Sequence, residues 1–220
     1  MNTFALPDTK PTATWNLQKS WCRAWKGVSA MTDGSQTYHA LIALYGQPHR
    51  RYHTLQHLQE CLNLLEHTQH LSQNPAAIEV ALWFHDAIYN VKRSDNEEQS
   101  AQWAKATLRE AGVADDVAEH IHSLVMVTRH TGTPCTGDEQ LLVDIDLSIL
   151  ASPPARFSEY EQQIQDEYAY VPRWLFKRKR RAILQSFLDR PRLYGTPYFH
   201  DAMELTAREN LCRAIGIPAS

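Results

Sequence analysis

The 220-residue sequence predicts an all-α protein of about ten helices with a C-terminal helical extension. Three observations carry this prediction. Eight glycines and eleven prolines are few for the length, and they fall between segments rather than inside them. Within those segments, apolar residues recur at the three- and four-residue spacing of a buried helix face. The alternation that is typical of a half-buried strand is not sustained anywhere along the sequence.

Start and stop signals place the individual helices. Asn74 followed by Pro75 is typical of a helix start, because Asn caps the first turn and proline fits the first helical position. The stretch from Ser94 to Glu97 fits a capping box, and Gly112 ends the helix that it opens. We expect helices over residues 14–27, 33–45, 53–70, 75–89, 94–112, 115–128, 139–151, 157–170, 172–188 and 199–215.

The same pattern predicts the domain organisation. The loop at residues 131–138 and the pair Pro153-Pro154 interrupt the helices, but neither is a long polar linker. We therefore expect one domain over residues 1–220. Its core spans about residues 33–151, and the C-terminal extension at about residues 155–216 packs on it. The apolar helix at 75–89 is expected to be central.

Composition excludes several functional classes. Twenty-two Lys and Arg against 25 Asp and Glu give a net charge of −3, which argues against binding to a nucleic-acid polymer or an anionic membrane. No run of 18 apolar residues is present, and the first residues lack the pattern of a secretory signal, so we expect a cytoplasmic protein. The four cysteines are far apart, which predicts reduced thiols. A homodimer is left open.

The histidines are unevenly distributed. Ten of the eleven lie between residues 39 and 130, which is less than half of the chain. Among them, His85 and Asp86 follow Phe84 near the end of the apolar central helix. Such a pair alone is more often structural, but its burial costs several kcal/mol without partners, and a divalent cation satisfies both groups.

Two further ligand-type groups change this balance. His57 lies 28 residues upstream of His85. Downstream, Asp144 and Asp146 interrupt an apolar run, and either of them is a candidate ligand. On a helix these two carboxylates point about 200° apart, so only one can face a shared ion. A mixed set of imidazoles and carboxylates suits Mn, Fe, Co, Ni, Zn or Mg.

At these residues the chain resembles the HD superfamily of metal-dependent phosphohydrolases, whose signature is a His, a His-Asp pair and a distant Asp. It is similar to a bacterial branch that carries YHxxxH, FHDxxY, DNExxSA and DxDLxIL, found here at residues 52–57, 84–89, 95–101 and 144–150. The likeness extends over about residues 36–212.

The resemblance implies an HD-type helical bundle with one divalent metal ion held by His57, His85, Asp86 and Asp146, with Asp144 as the alternative last ligand. It implies hydrolysis of a phosphate ester or anhydride by a metal-activated water. The substrate would be a small phosphorylated metabolite or a nucleotide. We expect no second metal, because only an incomplete ligand set, with His122 and His130, remains for it.

Other residues near the motifs are candidates for catalysis. His53 lies one turn before His57, so it can donate a hydrogen bond to a metal ligand or to the phosphate. Alternatively, the two histidines lie on a solvent-exposed helix face. Some HD nucleotidases have a glutamate three residues after the His-Asp pair, where this chain has Tyr89. Glu97 and Glu98 are then the nearest substitutes, unless they only cap their helix. The catalytic candidates are Asp86, His53, Glu97 and His130.

Candidate substrate contacts lie in two parts of the chain. Arg50, Arg51 and Tyr52 can supply anion-binding donors at the mouth of the site, or belong to a solvated loop. Tyr89 can stack on a base. Arg178 and Arg181 share a face of the basic run at residues 177–181, and either clamp a phosphate or remain a solvated surface.

Three functions are compatible with these observations. The first is a metal-dependent phosphohydrolase. The second is a catalytically silent HD fold that senses nucleotides or binds a partner. The third is a di-iron HD oxygenase that uses the additional histidines.

Overall fold

The computed structural model describes residues 14–218, which form ten α-helices and two short 3₁₀ turns and contain no β-strand. The all-α prediction is confirmed. The first 13 and last two residues of the predicted domain lie outside the described residues. The helices are α1 (Thr14–Gly27), α2 (Ser35–Tyr45), α3 (Leu55–Thr68), α4 (Pro75–Phe84), α5 (Asn96–Glu110), α6 (Asp115–Val127), α7 (Gly137–Asp146), α8 (Pro154–Glu167), α9 (Arg173–Leu188) and α10 (Pro197–Ile215), and the 3₁₀ turns span Gln69–Leu71 and Leu147–Ala151.

Two helix ends differ from the sequence prediction beside the candidate ligands. Helix α3 begins at Leu55 rather than at residue 53, because Thr54 is extended and its side chain accepts a hydrogen bond from the Gln56 N–H (3.2 Å). Helix α4 ends at Phe84 rather than at residue 89, and His85 lies in the turn that follows. The candidate ligands are therefore placed at helix ends, where several elements can meet.

Capping was predicted correctly at one helix and wrongly at another. The Asn74 side chain accepts from the Ala77 N–H (3.2 Å) and starts α4 as predicted. The capping box predicted at residues 94–97 does not form, because the N-cap is Asp95 rather than Ser94, and the Asp95 carboxylate pairs with Arg93 (2.7 Å) instead of the helix N–H groups. A capping box is present at the start of α7, between Thr136 and Glu139.

Helix α4 is the centre of the hydrophobic core. Every residue from Ala77 to Phe84 is buried, and α4 contacts α1, α3, α5, α6 and α7. Its one charged residue, Glu79, accepts hydrogen bonds from the Ser20 hydroxyl (2.7 Å) and from Arg23 (3.0 Å). Because α4 is held on so many sides, the turn at its end has a fixed position.

The C-terminal helices pack against the 3₁₀ turn that follows α7. Helices α8 and α10 both contact the 3₁₀ turn at Leu147–Ala151, and α9 packs on α10. Buried Asn210 donates to the carbonyl groups of Leu150 and Ser152, at 2.9 Å each. One hydrophobic cluster includes residues from α1 to α10. None of the described helices has the length and apolar character needed to cross a membrane.

Asp144 fixes the start of α10. Its carboxylate accepts hydrogen bonds from the Gly195 N–H (2.7 Å), the Thr196 N–H (2.8 Å) and the Thr196 hydroxyl (2.7 Å). Thr196 in turn caps α10. Burial raises the pKa of Asp144 to about 6, against the opposing effect of these donors. The carboxylate therefore ties α7 to the C-terminal helices.

We expect Asp144→Ala to lower the free energy of unfolding by about 3 kcal/mol, because buried donors lose their acceptor. Urea denaturation followed by circular dichroism measures this change. The control is Asp201→Ala, an exposed residue of α10, for which we expect a change below about 0.5 kcal/mol. Equal losses in the two variants would contradict this role of Asp144.

Candidate metal centre

Four side chains meet where the start of α3, the end of α4 and the end of α7 come together. His57 lies in the first turn of α3, and His85 and Asp86 lie in the turn after α4. Asp146 is the last residue of α7. Both histidines are buried, and the two carboxylates are 17% and 12% exposed.

The ligand-type atoms converge on one point. His57 Nε2 lies 3.2 Å from His85 Nε2 and 3.2 Å from Asp146 Oδ1. Asp86 Oδ2 lies 3.0 Å from His85 Nε2 and 3.6 Å from His57 Nε2. The atoms of His57, His85 and Asp146 all lie within 4.8 Å of one another, a spacing that can hold a metal ion. Two imidazoles with carboxylate oxygens suit a borderline divalent ion.

Further contacts orient these side chains. His85 Nδ1 donates to the Leu82 carbonyl (2.7 Å), so Nε2 is the nitrogen that faces the cluster. His57 Nδ1 bonds to the Tyr52 hydroxyl (3.0 Å). Metal-binding histidines typically have such a partner on the other ring nitrogen. The donor set therefore fits a metal ion in its orientation as well as in its composition.

The electrostatics of the cluster also favour a cation. Burial opposes protonation of His85, but the neighbouring Asp86 and Asp146 carboxylates outweigh it and raise the pKa of His85 to about 9. Burial also acts against ionised Asp86 and Asp146, yet the surrounding histidines hold the pKa of both carboxyl groups well below its ordinary value. The two carboxylates are largely shielded from solvent, so a nearby positive charge stabilises their ionised form.

The geometry separates Asp146 from the alternative ligand Asp144. Asp146 Oδ1 lies beside the two histidines, whereas Asp144 is directed to Gly195 and Thr196 on the other side of α7. The two carboxylates point apart, as expected for residues two positions apart on a helix.

His130 contacts the cluster from the end of α6. Its Nε2 bonds to Asp146 Oδ2 (3.0 Å), and its Nδ1 is buried and has no partner within the described part of the chain. The backbone of His130 has a φ of 55°, which is rare for a residue other than glycine. His122, which a second metal would require, bonds to Gln102 instead (3.2 Å).

A buried glutamate of α8 organises the loop before α3. Glu167 Oε1 accepts from the N–H groups of Arg51 (2.8 Å), Tyr52 (2.8 Å) and His53 (3.0 Å). Its Oε2 accepts from His53 Nδ1 (2.8 Å) and the Tyr89 hydroxyl (2.6 Å). Burial acts against the charge of Glu167, but these donors outweigh it and lower its pKa to about 2. The contact with Glu167 thereby holds the His53 ring through Nδ1, and Nε2 takes no part in it.

Buried Arg50 joins the same loop to the turn after α4. Its guanidinium donates to the carbonyl groups of Asp86 (2.6 Å), Ala87 (2.8 Å) and His53 (3.2 Å). Burial lowers the pKa of Arg50, and no carboxylate contacts its guanidinium in the described chain. Arg50 thus fixes the distance between the His-Asp turn and His53.

The cluster opens into a cavity of about 760 Å³. Five predicted functional residues line it together with the carboxylates Asp86 and Asp146: Tyr52, His53, Tyr89, Glu97 and His130.

Three predicted substrate contacts lie outside this cavity. Arg51 is exposed, Arg178 stacks on Trp174, and Arg181 donates to the Ile215 carbonyl (2.6 Å). From the same basic run, Lys179 and Arg180 line the cavity instead. The sequence prediction selected Arg178 and Arg181 because their spacing places them on one helix face. The face of α9 that lines the cavity is instead the one with Phe176 and Ile183.

Sequence reasoning gave no role to Glu167 and treated Arg50 only as a mouth residue. A signal was present for Glu167, which follows Tyr160 and Ile164 on the buried stripe of α8. No local pattern marks Arg50, because two of its three partners, the backbone carbonyl groups of Asp86 and Ala87, are distant in the sequence.

No family model, curated protein or solved structure matches this chain. The interpretation of the site therefore depends on its own geometry and on the motifs in the sequence.

We expect Glu167→Gln to make stability less dependent on pH. The folded-state pKa of about 2 lies below the ordinary value of 4.5, so the ionised carboxylate stabilises the fold above pH 4.5 and this contribution is lost as the pH falls toward 2. The wild type should exceed the variant by about 3 kcal/mol at pH 7, and the difference should narrow below pH 4.5.

Urea denaturation of metal-free protein between pH 7 and pH 3 measures this difference. Glu159→Gln, at a half-exposed position on α8, is the control and should stay within about 0.5 kcal/mol of the wild type. If the difference in the free energy of unfolding between wild type and Glu167→Gln does not change with pH, an ionised Glu167 carboxylate does not stabilise the fold.

Proposed function

We propose that this protein is a metal-dependent hydrolase of phosphate esters or anhydrides. The observation that carries the proposal is the convergence of His57, His85, Asp86 and Asp146, with nitrogen and oxygen atoms 3.0–3.6 Å apart at the base of a cavity. The order of these ligands along the chain is that of the HD superfamily, which the motifs resemble. We propose one divalent ion from the group Mn, Fe, Co, Ni, Zn and Mg.

A divalent ion bound by these four residues would act as a Lewis acid toward a phosphoryl oxygen and lower the pKa of a coordinated water. The protein residues supply the remaining functions. Asp86 and Asp146 each keep one oxygen toward the histidines, and the second oxygen of Asp146 is held by His130 (3.0 Å). His130 therefore orients a ligand carboxylate.

His53 is the residue best suited to interact with the substrate beside the metal. Glu167 holds its Nδ1, and the ring of Tyr89 stacks on it with 4.2 Å between ring centroids. A proton on Nδ1 that is donated to Glu167 leaves Nε2 as the atom that meets a ligand in the cavity. His53 can then exchange a proton or a hydrogen bond with a phosphate oxygen or with the leaving group.

The finer parts of the proposal concern substrate and location. We propose a small phosphorylated metabolite or a nucleotide as substrate, and the cytoplasm as the location. Glu97 lines the cavity and remains a candidate for proton transfer. The unpaired thiols of the four cysteines are compatible with a reducing compartment.

Metal binding tests the ligand set directly. We expect Asp146→Asn to weaken binding of Mn²⁺ by about 100-fold or more, because loss of an outer-shell partner alone costs 10–100-fold. The matched control is Asp144→Asn, two residues away, which should keep wild-type affinity in the folded protein. Isothermal titration of metal-free protein measures both affinities. Equal weakening in the two variants would refute the assignment of Asp146.

Activity tests the hydrolase itself. Wild-type protein with bound metal should release phosphate from at least one member of a panel of nucleotides and phosphorylated metabolites. His85→Ala and Asp86→Ala should lower this rate by roughly two orders of magnitude or more, because the metal contributes several kcal/mol to the transition state. Wild-type metal content and phosphate release in both variants would end the proposal. Tight nucleotide binding without turnover would favour the sensing function instead, and two iron ions per chain the oxygenase.

A further inference from the structure

We propose that the substrate carries a large, predominantly apolar organic group, which binds between α8 and α9 while its phosphoryl group lies at the metal centre. This inference rests on the proposed function and names the class of substrate. It is carried by the part of the cavity that lies away from the four ligand residues.

The first observation is the apolar stripe of α9. Phe176, Ile183 and Phe187 are seven and four residues apart, so they share one face of the helix. All three line the cavity, although Phe187 also belongs to the buried core, whereas Arg181 bonds to the end of α10. Ile183 is 49% exposed. An apolar stripe that lines a cavity is a surface for an apolar ligand.

The second observation is the opposite wall. Tyr160, Ile164 and Tyr168 follow each other at four-residue spacing along α8 and the turn after it, and all three line the same cavity. Leu147 and Ile149 of the second 3₁₀ turn also contribute to the lining. The apolar surface therefore surrounds the space beyond the metal centre on more than one side.

The third observation is that three tyrosine hydroxyls of this cavity are already engaged by the protein. Tyr52 bonds to His57 (3.0 Å), Tyr89 to Glu167 (2.6 Å) and Tyr170 to the Val91 carbonyl (3.0 Å). These rings can therefore offer their faces and edges to an organic group, while their polar ends remain in protein contacts.

One charged residue of the wall, Arg180, is compatible with this interpretation. Arg180 lies between Phe176 and Ile183 in the sequence of α9. It forms an ion pair with Glu161 and lies over the ring of Tyr160, 5.0 Å from its centroid. Its charge is therefore compensated within the protein. A volume of about 760 Å³ is in the upper part of the range of about 300–1,000 Å³ for ligand pockets, which leaves room for a group much larger than phosphate.

The test uses phosphate monoesters of primary alcohols, because their leaving groups have similar intrinsic reactivity. Ethyl, hexyl and 3-phenylpropyl phosphate are compared with glycerol 3-phosphate on the metal-loaded full chain. We expect kcat/KM for 3-phenylpropyl phosphate to exceed that for ethyl phosphate at least about tenfold, mainly through a lower KM. A preference for ethyl or glycerol phosphate would overturn the inference and leave the hydrolase intact.

Binding gives a readout that does not depend on turnover. Calorimetry with ethylphosphonate, hexylphosphonate and 3-phenylpropylphosphonate should show affinity that increases with the size of the organic group. If affinity increases in this way but neither these esters nor the panel of nucleotides and metabolites is hydrolysed, the apolar binding surface stands and the hydrolase proposal fails. If 3-phenylpropylphosphonate binds no more tightly than ethylphosphonate, or none of the three binds, the inference is refuted.

A pair of variants on α9 locates the effect. Ile183→Ser removes an apolar side chain from the cavity wall and should reduce the preference for the phenylpropyl compounds about three- to tenfold, with little change for ethyl phosphate. Trp174→Ser is the control, since Trp174 is 67% exposed on the same helix and does not line the cavity. An unchanged preference in Ile183→Ser, or an equal loss in both variants, would contradict the proposed position of the organic group.

Discussion

A buried carboxylate must find donors or cations, because its desolvation otherwise costs more than the fold can supply. Three carboxylates with little exposure to solvent organise the candidate metal centre and its surroundings. Asp144 holds the loop before α10, Asp146 lies beside His57 and His85, and Glu167 gathers the loop before α3. Each one joins segments that are far apart in the sequence, so the requirement for partners determines which segments meet. The candidate metal centre is one product of this requirement.

The end of α7 is where these constraints combine. Asp144 and Asp146 lie two residues apart and point to opposite sides of the helix, one toward the C-terminal helices and one toward the histidines. The 3₁₀ turn that follows α7 also receives α8 and α10. A shift of α7 would therefore disturb the histidine cluster and the attachment of the C-terminal helices together. The packing of α4 on five neighbouring helices holds the other side of the cluster in place.

The C-terminal helices contribute to the site as well as to the core. Helix α8 provides Glu167, which orients His53, and one face each of α8 and α9 borders the cavity beyond the candidate ligands. The cavity thus has a polar end, where histidines and carboxylates meet, and a wall of tyrosine rings and aliphatic side chains. This division separates the residues that suit phosphate chemistry from those that suit an organic group.

The helices and the residue types of the cluster could be predicted from the amino-acid sequence. Apolar spacing and helix stop signals predicted the ten helices of residues 14–218, because these features depend on neighbours within a few residues. The motifs at His57, His85-Asp86 and residues 144–150 indicated which side chains to compare. The packing of the helices was needed to show that Asp146 faces the histidines while Asp144 faces Thr196. It was also needed to show that Glu167 supports His53, and that Arg180 borders the cavity while Arg178 does not. Periodicity shows which residues share a helix face, but the neighbour of that face depends on contacts between distant segments.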